Sequence, residues 1–206
     1  MKIFVSGGCK NGKSFFAQRI AKVAASKSDS VCPIPLYYIA TMKPVDAEDD
    51  ERIARHRDER DGWGFITVEQ ATQIEDVLDK CDVSGSFLLD SLTALLAEEM
   101  FSRDGRIDEH AVDRVGLGLS RVLNAVDNIV VVSDYIYSDA ELFDPLTELY
   151  RKSLAQLDCV AAKLCDVVIE VAYAGVAVHK GKDIFNMLDS CFAVPNSVGV
   201  VDEICV

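Results

Sequence analysis

Residues Gly7-Gly8-Cys9-Lys10-Asn11-Gly12-Lys13-Ser14 bring a pliable backbone, two lysines and a hydroxyl into one short turn. The spacing Gly7-x-x-x-x-Gly12-Lys13-Ser14 is that of a phosphate-binding loop. Glycines let successive N–H groups turn inward onto phosphate oxygens. A helix starting near Lys13 adds the positive end of its dipole. Lys13 would reach the β- and γ-phosphates of a nucleotide, and Ser14 would ligate Mg²⁺. An incidental glycine turn ahead of a helix is the plain alternative.

Magnesium chemistry also calls for an acid at the end of a neighbouring apolar strand. Asp90 closes "SFLLD" and Asp134 closes "NIVVVSD". Either could simply cap the helix that follows. Asp90 is the better metal candidate because its strand runs straight into "SLTALL". A second constellation lies in "RIARHRDER". On a helix Arg52, His56 and Arg60 share one face at i, i+4, i+8. Three such side chains suit an anion, and a neutral imidazole among them can attack phosphorus. A solvated helix whose arginines pair with Asp49, Glu51, Asp58 and Glu59 fits the same spacing. His110, next to a loop, and His179, near a strand end, read as surface residues.

These residues need rigid elements behind them. Residues 2–6, 35–42, 65–69, 86–90 and 128–134 read as strands, the last as a central strand because it is apolar on both faces. Helical periodicity follows Gly12 and recurs over 46–60, where Asp46 can cap, and over 71–81, with Ile74, Val77, Leu78 and Cys81 on one stripe. It continues through 91–101, 109–126 and the segment opened by Pro145. Residues 102–108 form the clearest loop, and one or two strands flank Gly175. Strands alternating with helices predict an α/β domain whose mostly parallel sheet is covered on both faces. Such sheets bind ligands beyond the carboxyl ends of their strands, where the motifs fall. The 206 residues predict one domain, with 181–206 a C-terminal extension of unassigned role.

Composition narrows the function classes. A net charge of −13 and a pI near 4.6 argue against a nucleic-acid partner. No apolar run is long enough to cross a bilayer, and "MKIFVSGG" is too soon broken to act as a secretory signal. A cytoplasmic protein is expected. The seven cysteines form no CxxC pair, and buried reduced thiols are expected rather than disulfides.

In order and spacing, "GGCKNGKS", "YIAT" (38–41), the R-I-x-x-H-x-x-x-R pattern of 52–60, Trp63, "TVE" (67–69) and "LLDSLTALL" (88–96) match one group of proteins. Over about residues 1–180 the chain resembles the bifunctional adenosylcobinamide kinase/adenosylcobinamide-phosphate guanylyltransferases of cobalamin biosynthesis. That resemblance implies a P-loop fold of the RecA-like group and a trimer. It implies a kinase step, in which ATP or GTP phosphorylates the corrinoid side-chain hydroxyl. A guanylyl transfer follows, with GMP passing from GTP through a histidine to the corrinoid phosphate. The guanylylated histidine falls on His56, and Lys13 serves catalysis. Gly7, Gly8, Cys9, Lys10, Asn11, Gly12, Lys13, Ser14, Arg52, Arg60 and Glu69 fall at nucleotide-binding positions, and Ser14 and Asp90 at the Mg²⁺. The chain departs from the group at "SDYIY" (133–137), where an S/T-N-E-V-G run is usual, and at Asp158 and Cys159, where N-Q is usual. A kinase that has lost the second activity, and a nucleotide-binding regulatory protein without turnover, remain as alternatives.

Overall fold

The computed structural model describes residues 1–26, 34–45, 51, 53–54, 57–58, 60–102, 104–138, 140–173 and 175–192. Its strands are β1 (Lys2–Gly7), β2 (Leu36–Ala40), β3 (Phe65–Glu69), β4 (Ser86–Asp90), β5 (Asn128–Asp134), β6 (Val167–Ala172) and β7 (Gly175–Lys180). They form one sheet in the order β3-β2-β4-β5-β1-β6-β7. Every pairing is parallel except that of β6 with β7. The helices are α1 (Lys13–Ser26), α2 (Val77–Lys80), α3 (Leu92–Met100), α4 (Ala111–Ala125), α5 (Pro145–Leu164) and α6 (Lys182–Phe192).

Alternation along the strands divides the core between two faces. Phe87, Leu89, Ile129 and Val131 pack against α3, α4 and α5. Ile3, Val5, Leu88, Val130 and Val132 pack against α1 and α6. Both faces are apolar because both are covered, which is why these strands read as continuous hydrophobic runs. β5 is the central strand of the seven, as its two-sided apolar pattern predicts.

Local sequence explains the helix boundaries. The Asp144 carboxylate accepts from the amides of Leu146 and Thr147 at 3.0 and 3.1 Å, and Pro145 occupies the first turn of α5, where no amide is needed. Ser91 caps α3 by accepting from the amide of Ala94 at 3.3 Å. The stripe at 71–81 makes less helix than its spacing predicts: a 3₁₀ turn at Ile74–Asp76 and the single turn α2. Gln73 holds a left-handed φ of 50° and Cys81 is extended, so the chain bends at both ends while Ile74 and Val77 still reach the core. Beyond Lys180, where the sequence suggests no element, α6 lays Phe185 and Leu188 on the α1 face. Among the described cysteines Cys165 is buried, Cys81 is half-buried, and Cys9 and Cys159 are exposed. All four are free thiols, but burial is not their rule. No helix among the described residues is long and apolar enough to cross a membrane.

Candidate functional site

Parallel register puts the carboxyl ends of six strands along one edge. Gly7 of β1 stands opposite Asp134 of β5 on one side and Val171 of β6 on the other. Ala40 of β2 stands between Asp90 of β4 and Glu69 of β3.

The loop from Gly7 to Ser14 turns over this edge. A Cβ at Gly7 would collide with the Val171 carbonyl and the Asn11 amide, so the close approach of β1 to β6 needs glycine there. The Asn11 amide donates to the Val171 carbonyl, and its Oδ1 accepts from the Lys13 amide at 3.2 Å. Lys10 and Gly12, at φ 56° and 86°, supply the left-handed steps that curl the backbone. Gly8, Cys9 and Lys10 face solvent, while Lys13 is only 6% exposed. A buried ammonium needs partners. Lys13 Nζ lies 2.5 Å from Asp134 Oδ1 and donates to the Gly8 carbonyl at 3.0 Å.

Ser14 and Asp90 meet on the same edge. The Ser14 hydroxyl donates to Asp90 Oδ1 at 3.5 Å, and the Tyr38 hydroxyl donates to Oδ2 at 3.0 Å. The Arg60 guanidinium lies 3.6 Å from the centre of the Tyr38 ring and is 7% exposed. One serine hydroxyl and one carboxylate suit Mg²⁺, a hard cation that keeps water and phosphate oxygens as its other ligands. No cluster of three or more His, Cys, Asp or Glu gathers among the described residues, so a dedicated protein cage for a metal is not built there.

A cavity of about 490 Å³ opens beside this pair. Ser14 and Asp90 line one end, and Ile53, Ala54, Arg57 and Arg60 line the other, with Glu69 and Lys43 on its wall. Arg57 pairs with Glu69 at 3.4 Å, both largely exposed. In 51–60 the described residues Glu51, Ile53, Ala54, Arg57, Asp58 and Arg60 are helical. Asp46, Arg52 and His56 lie outside the described residues. Trp63 sits 5.8 Å from the Phe15 ring and 5.0 Å below Lys22 Nζ. His110 is exposed, and His179 pairs with Glu170 at 2.8 Å on the far edge of the sheet.

Across the sheet lies a polar group that spacing does not reveal. Asp158 of α5 is 3% exposed and accepts from the Tyr137 hydroxyl at 2.9 Å. Burial pushes its carboxyl up to about 7, against the lowering effect of the Ser133 and Tyr137 hydroxyls, and the nearby Asp134 charge adds to the rise. Burial likewise raises the Tyr137 and Tyr150 phenols. Tyr38 and Arg57 stand in the motifs "YIAT" and "RIARHRDER", but their contacts with Asp90 and Glu69, like that of Asp134 with Lys13, were invisible in the sequence. Strand-ending Asp134 was the one partial signal, since register rather than spacing sets it beside the loop.

The profile of the cobinamide kinase / cobinamide phosphate guanyltransferase family matches residues 3–179. No curated protein matches the chain. Among solved structures, a protein from Pyrococcus horikoshii OT3 is similar at 10% identity, with 87% of this chain and 85% of that one covered and a TM-score of 0.44. A KaiC-like protein from the same archaeon is similar at 11% identity, with 87% and 79% covered and a TM-score of 0.46.

Proposed function

Because the chain belongs to the cobinamide kinase / cobinamide phosphate guanyltransferase family, we propose that it carries out both reactions on one site of cobalamin biosynthesis. In the first, ATP or GTP phosphorylates the side-chain hydroxyl of adenosylcobinamide. In the second, His56 displaces pyrophosphate from GTP and passes GMP to the corrinoid phosphate. The observation that supports this reading is the single cavity joining Ser14 and Asp90 to Arg57 and Arg60. Ser14 and Asp90 thereby share one space with Ile53, Ala54, Arg57 and Arg60, which supports a common site for both steps.

The loop amides and Lys13 hold the phosphates, and Lys13 balances charge as it moves toward the leaving oxygen. Ser14 and Asp90 would hold Mg²⁺, which supplies further neutralisation of phosphate charge. Arg60, fixed on the Tyr38 ring, and Arg57 supply donors for an α-phosphate entering the cavity. On the helical spacing of the sequence, Arg52 and Arg60 would share a face with His56 and favour a neutral imidazole, the form that can attack phosphorus.

The test is intact-protein mass spectrometry after incubation with GTP and Mg²⁺, followed by peptide mapping. One GMP on His56, labile to acid and stable to base, is the expected result. His56→Ala abolishes the adduct and the guanylyl transfer while the kinase step survives. GMP on Lys10 or Lys13 would overturn the mechanism, and no adduct beside an active kinase step would leave a kinase alone.

A further inference from the structure

We propose that Asp134 is the proton acceptor of the phosphoryl-transfer step, taking the proton of the alcohol that attacks the γ-phosphate. This rests on the kinase reading above and assigns that reaction its proton acceptor.

Register and contact carry the inference. Asp134 closes β5 directly opposite Gly7, the first residue of the loop. Its Oδ1 is 2.5 Å from Lys13 Nζ, and its side chain is 17% exposed. A loop lysine grips the γ-phosphate at about 2.8 Å. An oxygen so held lies about 5 Å or less from the Asp134 carboxylate. Two anions that close repel unless a cation or a proton donor stands between them. The lysine answers part of that charge. A hydroxyl lying between the two anions would donate to the carboxylate and point its oxygen at phosphorus. The metal pair is elsewhere: Ser14 contacts Asp90, not Asp134. The carboxylate keeps some exposure to solvent but is not itself part of the cavity lining. The Asp134 amide donates to Thr93 Oγ1 at 2.9 Å, and Ser91 and Ala94, on either side of Thr93 and its neighbour Leu92, line the cavity.

In the step, the alcohol oxygen bonds to the γ-phosphorus as the bond to the β-bridging oxygen breaks. The electron pair leaves with the nucleoside diphosphate, the hydroxyl proton passes to an Asp134 carboxylate oxygen, and water then collects it.

The experiment compares wild type, Asp134→Asn and Asp134→Ala in phosphorylation of adenosylcobinamide. In parallel, calorimetry measures binding of imido-triphosphates and diphosphates of adenosine and guanosine with Mg²⁺. We expect Asp134→Asn to lose at least about 100-fold in transfer, the scale of a general base. We expect it to bind triphosphate relative to diphosphate at least as well as wild type, because a charge facing the γ-phosphate is gone. Formate restores about tenfold or more to Asp134→Ala by replacing the missing carboxylate. Transfer by Asp134→Asn within about fivefold of wild type overturns the proposal. So does a loss of about tenfold in its triphosphate affinity, which would make Asp134 a binding or metal group, and so does failure of formate to rescue. A wild type that phosphorylates no corrinoid counts against the proposed substrate instead. The same comparison then reads triphosphate hydrolysis, where water must lose that proton, and equal rates in wild type and Asp134→Asn overturn the assignment.

Discussion

Lys13 is held by the Asp134 carboxylate and the Gly8 carbonyl. Lys13→Ala removes the charge proposed to balance the β/γ-phosphates and strands Asp134. A kinase rate at least about 100-fold lower is expected, and near-normal turnover would refute the loop's proposed role. Asp90→Asn keeps the hydrogen bond from Tyr38 but loses charge. It should raise the Mg²⁺ concentration needed for half-maximal rate while leaving the circular dichroism spectrum unchanged. If Asp134→Asn shifts the Mg²⁺ requirement and Asp90→Asn does not, the metal acid is on β5. Asp158 gives a pH test independent of activity. Its folded-state value of about 7 stands above the ordinary 3.8, so the fold favours its neutral form. It costs the fold nothing below about pH 4, and an increasing amount as pH rises to about 7, reaching a few kcal/mol. Asp158→Asn should therefore gain stability over wild type from pH 5 to pH 8 in urea titrations. A difference that does not change with pH would refute it.

Among the elements, periodicity was a sound guide where packing agreed with it. In α4 the spacing of Val112, Val115, Leu119, Val122 and Leu123 predicts a helix, and all of these but the half-buried Val112 lie on its buried face. Leu119 is fully buried in the core that α4 shares with α3 and α5, and Leu119→Ala is expected to cost about 2–5 kcal/mol in denaturant unfolding, with a cost under about 1 kcal/mol arguing that the helix repacks. Residues 71–81 show where the guide fails. Their stripe is apolar in the right places, but the left-handed Gln73 is a backbone choice that side-chain spacing does not record. The reverse happened at α6. Its burial depends on Phe16 of α1, whose ring lies 6.5 Å from Phe185, so nothing local announced it.

For the whole molecule, the resemblance implies a trimer, and light scattering on the purified protein is expected to give about three times the 22.6 kDa chain mass. A monomeric mass would show that the cavity of one chain must serve alone. Sequence by itself determined the motif order, the covered parallel sheet and the loop that faces its carboxyl edge, because strand and helix periods and glycine spacing are local properties of the chain. It also singled out Ser14 and Asp90, which the fold brings to within 3.5 Å, since a hydroxyl after a glycine loop and an acid after an apolar strand are both written in short windows. Only tertiary structure decided which groups face one another. Strand order makes β5, distant in sequence, the neighbour of β1, and so gives Lys13 its carboxylate in Asp134. The same packing seats Arg60 on Tyr38 and closes water away from Asp158, since burial and electrostatic contact depend on distances through space that no spacing along the chain can specify.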